Sequence, residues 1–388
     1  MNELAQGLVE REHSVIVVTP LSGYNLVDRR SNSKHEGRFV SQEDGVTVVR
    51  VPAAHFQMVH PLMRGFGHLV LPFSFLVGSF FSGRVDIISV YSPPLVTALG
   101  ALFISKLKRV PFVVNVQDLF PKNAIDLGIL RNTWAIKFFR VIENLVYKHA
   151  TRIVVHSEGN SQAIKANVSN PSRVVVLHNW VDLNAYSIST NSQVFASKHD
   201  LEGLFLVLFA GVMGYAQDLE NVIMAARQLQ NEAKIAFLLI GDGMEKTLLV
   251  KKTKVLGLTN VRFLPWVSPK EYPQVVSESH VGLVTLKETM KTPVVPSKLL
   301  GYMAAGKPVV ASVNPESDAI TIVKQAKCGL SVEPGNSQVL ADAIRHIYRL
   351  PDQGREMGKR GRVYAETNFA KEVILNQYEN ILQQSLLS

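Results

Sequence analysis

Residues 204–243 read LFLVLFAGVMGYAQDLENVIMAARQLQNEAKIAFLLIGDG. An unbroken apolar run, 204–210, ends at Gly211, and a helical pattern follows near 218–230. A second apolar run begins at 236 and ends in Gly241-Asp242-Gly243. Short continuous apolar runs closed by glycine read as strands buried on both faces. A helix between two such strands makes a parallel β-α-β unit, which sets the fold class as α/β.

The same alternation continues in both directions. Downstream, strand-like runs at 261–267, 281–287, 308–313 and 328–334 alternate with helical patterns near 269–277, 297–304, 316–326 and 336–349. Residues 354–386 read as one or two helices. Upstream, strand-like runs at 14–19, 46–51, 86–91, 111–116, 152–157 and 174–179 alternate with helices over 1–12, 95–107, 132–149 and 159–167. Between the two series, 188–203 is polar and reads as a linker. The expectation is two Rossmann-like, doubly wound domains facing across a cleft: 1–190, 191–365, and a closing helix, 366–388, packing back on the first. Ligands of such sheets bind outside the carboxyl ends of the strands.

The 388 residues suit two or three domains. A 47% hydrophobic share with 25 Gly and 18 Pro excludes a disordered, collagen-like or coiled-coil chain. The single cysteine, Cys328, excludes a disulfide framework and a multi-cysteine zinc site. The net charge is +9, and residues 51–150 hold ten Lys and Arg against four Asp and Glu. A basic, apolar stretch of this kind suits an anionic membrane or a phosphorylated ligand. Without a basic run or a nucleic-acid motif, nucleic acid is not expected as a partner. The first twenty residues do not read as a secretory signal. Residues 65–83 lack Asp, Glu, Lys and Arg. Three readings fit them: a buried or half-buried helix, an interfacial helix, or a membrane span.

The loops carry the candidate chemistry. Gly211 and Gly214 follow the first strand of the second domain; Gly241 and Gly243 follow the next. Glycines let a backbone approach a phosphate, and a helix amino terminus offers free N–H groups. A tight β/α turn explains either pair equally, with Asp242 as a helix cap. In Thr292-Pro293-Val294-Val295-Pro296-Ser297-Lys298, a Pro-restricted loop opens a helix at Ser297, a residue suited to cap it. Lys298 in the first turn opposes the helix dipole, a conflict that a bound anion relieves. Ser297 and Lys298 therefore read as a diphosphate cradle. In the first domain, Asp118 follows the 111–116 strand and is placed either to take an acceptor proton or to cap a turn. Asn179 is a candidate for a sugar hydroxyl, Asp182 for a turn cap, and His178 for a structural role.

Together these loops resemble the retaining glycosyltransferases of family 4, which have the GT-B fold. The resemblance rests on YSPPL (91–95), NVQDLFPKNAIDLGIL (115–130), FAGVMGYAQDLENVI (209–223), IGDG, NVRFLPWV (260–267) and VPSKLLGYMAAGKPVVAS (295–312). It is similar to the fucosyl- and N-acetylfucosaminyltransferase branch of bacterial exopolysaccharide and O-antigen assembly. The resemblance implies a UDP- or GDP-sugar held by Gly211, Gly214, Gly241, Gly243, Leu264, Trp266, Val295, Ser297, Lys298 and Gly301. It implies a lipid-linked saccharide acceptor near Ser92, Asp118 and Asn179, with Asp118 and Lys298 catalytic and no metal or other cofactor. It places the protein in the cytoplasm, peripheral on the inner face of the plasma membrane. Where many members have a Glu, seven residues and a second Glu, this chain has Pro293 and Gly301. Where many have Arg and Lys after the first strand of the second domain, it has Gly214, Tyr215, Ala216 and Gln217. The family opens with a strand and a Gly-rich loop, whereas this chain opens inside the following helix, at Asn2-Glu3-Leu4-Ala5. The expectation is that Met1 is an internal start or a shortened record and that the first sheet lacks its first, central strand. A sugar-nucleotide 2-epimerase on the same scaffold, or a non-catalytic homologue, are the alternatives.

Overall fold

The computed structural model describes residues 2–20, 39–52, 61–186, 193–291, 293 and 295–387, with the backbone alone for 61–70. The chain divides into two compact units. The first comprises Met1–Lys122, Leu130–Leu177 and Leu375–Ser388; the second comprises Asn123–Ile129 and His178–Ile374. The expected boundary at 190/191 lies outside the described residues.

The first unit runs α1 (Asn2–Val9), β1 (Ile16–Pro20), β2 (Val40–Glu43), β3 (Val46–Val51), α2 (Pro61–Phe80), β4 (Ile88–Ser92), α3 (Leu95–Lys108) and β5 (Phe112–Val116). After α4 (Lys122–Asp126), most of which belongs to the second unit, come α5 (Thr133–His149), β6 (Arg152–Val155), α6 (Glu158–Lys165) and β7 (Val174–Val176). The strands form two sheets. One is parallel throughout, in the order β4-β5-β6-β7; the other is β1-β3-β2, in which β2 and β3 pair antiparallel. Among the described residues β1 and β4 are edges, and both are largely half-buried, whereas every residue of the interior strand β5 is buried. Among the described residues no strand pairs β1 with β4. The hairpin strand β2 escapes the reading of the sequence because VSQE lacks an apolar run.

The second unit runs α7 (Val194–Lys198), β8 (Phe205–Ala210), α8 (Leu219–Gln228), β9 (Ile235–Ile240), α9 (Lys246–Val255), β10 (Val261–Leu264), α10 (Tyr272–Glu278), β11 (Val281–Thr285), α11 (Ser297–Ala304), β12 (Val309–Ser312), α12 (Asp318–Ala326), β13 (Gly329–Val332), α13 (Ser337–Arg349) and α14 (Pro351–Asn368). Its sheet is parallel, in the order β10-β9-β8-β11-β12-β13. Alternate residues of β8 feed two cores, one on each face: Leu206, Leu208 and Ala210 join one, Val207 and Phe209 the other. The last helix, α15 (Lys371–Leu386), joins the first unit from Leu375 onward. There Glu379 meets Arg11 at 3.1 Å and His13 at 2.8 Å, and the Tyr378 hydroxyl hydrogen-bonds to Ser89.

The linker reading of 188–203 needs correction in its described part. Phe195, Ala196 and Leu201 are buried in the core of the second unit. The N–H groups of Phe195 and Ala196 donate to the Glu278 carboxylate at 3.1 and 2.8 Å. Three apolar anchors and one distant carboxylate dock a segment that is otherwise polar in composition.

Helix α11 is apolar on nearly every side, and Leu299 to Ala304 are all buried. Tyr302 is fully enclosed and donates its hydroxyl to the Leu208 carbonyl at 3.0 Å. Arg362 of α14 holds the Ala304 carbonyl at 2.5 Å, satisfying the helix end. Gly282 makes room for the Tyr302 ring, since a Cβ there would lie 2.2 Å from it. A Gly282→Ala substitution therefore overpacks the site under α11 and costs about 3 kcal/mol. Urea unfolding followed by circular dichroism should show a lowered midpoint; an unshifted midpoint contradicts this account of the packing.

Candidate functional site

Strand β8 is the centre of the second sheet. The chain moves outward from it through β9 and β10, then returns to its other side with β11, β12 and β13. The reversal falls at β8 and β11, and the carboxyl ends of the strands at such a point are where sheets of this kind take ligands. Three segments converge there: the loop after β8, the loop after β9, and the amino end of α11.

The two glycine loops are stitched together. Gly211 N–H donates to the Ile240 carbonyl at 2.9 Å, Met213 N–H to Asp242 at 2.7 Å, and Glu245 N–H to Met213 at 3.1 Å. Gly241 has φ +133°, and a Cβ there would lie 2.0 Å from the Gly211 oxygen. At Gly243, φ +155°, the same atom would lie 2.4 Å from the Met213 oxygen. Both positions therefore require glycine. Gly214 does not: its φ is −107°, and a Cβ would come no closer than 3.6 Å, to Val212.

Lys298 extends from the first turn of α11 to the Gly211 loop. Its Nζ donates to Gln217 Oε1 at 2.6 Å and stands 4.5 Å from the centroid of the Phe209 ring. A side chain on Gly211 would meet the lysine Cε at 3.5 Å. Burial disfavours the ammonium and lowers its pKa to about 8. A second cation, Lys287, lies 3.4 Å above the Tyr215 ring and 3.5 Å from Glu245 Oε1, and its N–H donates to Ala216 at 2.9 Å. Two ammonium groups thus flank the 214–217 turn. The reading of the sequence passed over Lys287 and gave Gln217 no partner; the contacts of both are long-range and leave no local pattern.

Two capping expectations are corrected. Pro296, not Ser297, is the cap residue of α11, and no side chain caps that end. Ser297 is already helical and solvent-exposed, so its hydroxyl does not fold back on the first turn. The helix start is left open, with Pro296 supplying no N–H of its own. Asp242 does not cap α9, which begins beyond Glu245; its carboxylate takes the Gly243 N–H at 2.8 Å. Leu264 and Val295 are half-buried against the core, and Trp266 is exposed after β10. Gly301 lies on a buried side of α11, where a Cβ would sit 3.1 Å from the Tyr186 hydroxyl and 3.3 Å from that of Tyr272. Two tyrosine hydroxyls therefore stand beside this residue. Thr292 and Val294 lie outside the described residues.

In the first unit, Ser92 ends β4, is buried, and accepts the Gln117 N–H at 2.7 Å. Asp118 follows at the same edge of the sheet. Among the described residues its carboxylate has no hydrogen-bond partner; it reaches solvent, and partial desolvation raises its pKa. Beneath it lies a buried polar chain absent from the reading of the sequence: Gln117 Nε2 donates to Asn115 Oδ1 at 2.9 Å, and the His156 ring nitrogens meet Asn115 Oδ1 at 2.8 Å and the Leu177 carbonyl at 2.9 Å. This chain ties together the ends of β5, β6 and β7. Asn179 belongs to the second unit. Asp182 caps the 183–185 turn through the Asn184 N–H at 3.0 Å, and the His178 ring packs edge-on to Phe369.

Residues 1–180 match the family model "Glycosyl transferase 4-like domain", and residues 192–364 match "Glycosyl transferases group 1". The chain is a glycosyltransferase. It is 26% identical over 269 residues to "Probable glycosyltransferase WbjE" of Pseudomonas aeruginosa, a match spanning 69% of this chain and 66% of that protein. It is also 26% identical over 396 residues to the Escherichia coli (strain K12) protein WcaI, named as a glycosyl transferase of colanic acid biosynthesis, covering 97% and 94% of the two chains. The fold matches the structure of Anabaena Alr3699/HepE in complex with UDP-glucose with a TM-score of 0.69, at 20% identity over 88% of this chain and 87% of that one. The glycosyltransferase is thus an α/β, two-domain GT-B protein.

The Lys298 environment yields a pH prediction. The ammonium is present below about 8 and lost above it. Affinity for inorganic pyrophosphate should therefore fall as pH rises from about 7 to about 9, by up to about tenfold per unit past the pKa. In Lys298→Met, which keeps the apolar stem, calorimetry should find weaker binding without that step. A parent affinity that is flat across this range contradicts the assignment.

Proposed function

We propose that this glycosyltransferase moves a sugar, with retention at the anomeric carbon, from a UDP- or GDP-sugar to a lipid-linked saccharide in bacterial surface polysaccharide assembly. The observation that carries the reading is the desolvated Lys298 ammonium beside two stitched glycine loops and an uncapped helix start. A diphosphate has the charge and size to use all three. The donor is assigned to Gly211, Gly214, Gly241, Gly243, Ser297 and Lys298, with Leu264, Trp266 and Val295 toward the nucleoside. The UDP-glucose held by the HepE neighbour supports a nucleotide sugar, and the WcaI name supports a polysaccharide product. A fucosyl or N-acetylfucosaminyl group is the finer assignment, resting on the SPPL and QDLFP loops.

In the reaction the bond from the anomeric carbon to the diphosphate oxygen breaks, and the bond to the acceptor oxygen forms on the same face. The departing phosphate oxygen takes the acceptor hydroxyl's proton. Lys298 and the first N–H groups of α11 meet the negative charge where it develops. With Lys287 also at the loop, the protein itself provides two cations, and no step of the proposal passes through a metal. Asp118 orients the acceptor hydroxyl, and Ser92 and Asn179 contact the acceptor sugar. The enzyme is assigned to the cytoplasm, peripheral on the inner face of the plasma membrane; among the described residues no helix is long and apolar enough to cross a membrane.

Transfer from UDP- and GDP-sugars to a bacterial lipid extract tests the reading. Lys298→Ala should lower turnover by about 10²–10³, the usual cost of removing one charge-stabilising donor. An unchanged rate rejects its role, and an epimerised nucleotide sugar formed without any acceptor supports the epimerase instead. Asp118→Asn should lower acceptor kcat/KM while leaving nucleotide affinity intact. A loss of nucleotide affinity in that variant contradicts an acceptor role.

A further inference from the structure

Helix α3 packs between α2 and α5 in the first unit. At the α2–α3 crossing, a Cβ on Gly100 would lie 3.1 Å from the Pro72 Cα, so the two helices touch backbone to backbone. The inner sides of α3 and α5 are apolar, as a core requires: Leu102 of α3 and Ile142 and Val146 of α5 share one cluster with the strands. Their outer sides are apolar as well.

On α5 the exposed residues Trp134, Phe138, Val141 and Leu145 recur at four, three and four, which is one stripe of a helix. On α2, Phe73, Val77 and Phe80 do the same, and on α3 Phe103 and Leu107 stand one turn apart, all exposed. Trp134 is 81% exposed and Phe73 is 70% exposed. Isolated exposed apolar residues need no explanation; three adjacent helices each presenting a stripe do. Helix α14 shows the usual pattern, with Asp352, Arg355, Glu356 and Lys359 turned to solvent.

The charges around these stripes have one sign. Lys106 and Lys108 end α3 and Arg109 follows; Lys137, Arg140 and Lys148 flank the α5 stripe. Lys137 Nζ stands 5.6 Å from the Trp134 ring. The only acidic residue of the three helices is Glu143, which is half-buried beside Tyr147. Protein–protein interfaces are depleted in lysine. Aromatic stripes rimmed by Lys and Arg match the interfacial zone of an anionic bilayer, where rings sit among headgroups and ammonium groups meet lipid phosphates.

We propose that the outer face of α2, α3 and α5 docks the enzyme on an anionic lipid bilayer. The proposal rests on the peripheral placement given above and assigns it a surface. It extends the interfacial reading of residues 65–83 to two further helices, of which α5 carries the longest stripe.

The test uses the full chain and vesicles, without donor or acceptor. The protein should sediment with phosphatidylglycerol-containing vesicles and much less with phosphatidylcholine alone, and binding should weaken as salt rises. Trp134→Ser/Phe138→Ser/Val141→Ser should lower binding at least about tenfold with unchanged circular dichroism. Lys106→Glu/Lys137→Glu should reduce the preference for anionic lipid. No sedimentation with anionic vesicles at low salt overturns the proposal, as does a triple variant that binds like the parent. A parent that light scattering shows to be dimeric, and a triple variant that is monomeric, assign the face to a second copy and also overturn it. Transfer to lipid acceptor in detergent is read separately. If transfer proceeds while vesicle binding fails, the surface assignment falls and the function stands; the converse leaves the surface and removes the function.

Discussion

A lysine ammonium held between an aromatic ring and an amide carbonyl is an expensive arrangement. Half-buried Lys298 has given up part of its water, and Gln217 Oε1 at 2.6 Å and the Phe209 ring stand in its place. The lowered pKa measures the shortfall in direction. A bound dianion reverses the balance, because it adds the opposite charge that the site lacks. In the proposed reaction the interaction would grow further as the leaving group gathers charge, so the lysine would favour the transition state over the resting donor. An exposed lysine, already satisfied by water, would have less to gain.

Everything that holds Lys298 in this position lies below it. Helix α11 is tied at three places: Tyr302 is bonded to the Leu208 carbonyl, Gly282 accepts its ring, and Arg362 closes the far end. Strand β8 takes part twice, through that carbonyl and through Phe209 beneath the ammonium. The glycine loops are fixed by hydrogen bonds that extend the sheet past its last residues. The site is therefore set on the rigid part of the second unit, and its precision is that of the parallel sheet.

Most of the strands and helices were legible because their signals are local. Continuous apolar runs closed by glycine locate β8 and β9, and the glycine stop at Gly306 ends the α11 region. The site was legible only in outline. Lys298 and the glycine pairs stand out because proline and glycine restrict the chain on either side. Ser297 was misread because a serine at a helix start is a cap only when its own backbone is extended, and here Pro296 takes that conformation. Gln217, Lys287 and the Asn115–His156 chain gave no signal at all, since a hydrogen bond across dozens of residues has no spacing to detect.

The outer face of α5 shows a further limit of periodicity. Trp134, Phe138, Val141 and Leu145 form one apolar stripe, and Ile142 and Val146 form another a short way round the helix. A period of 3.6 finds apolar positions without saying which set is covered, and one wide stripe looks the same as two narrow ones. Packing resolves them. The inner set shares a core with α3 and the sheet, and the outer set is left exposed. The first unit therefore keeps apolar surface that its own core does not use, alongside a surplus of lysine and arginine. Hydrophobic burial stabilises the inner stripe on folding; the same force acts on the outer stripe only when something apolar arrives from outside.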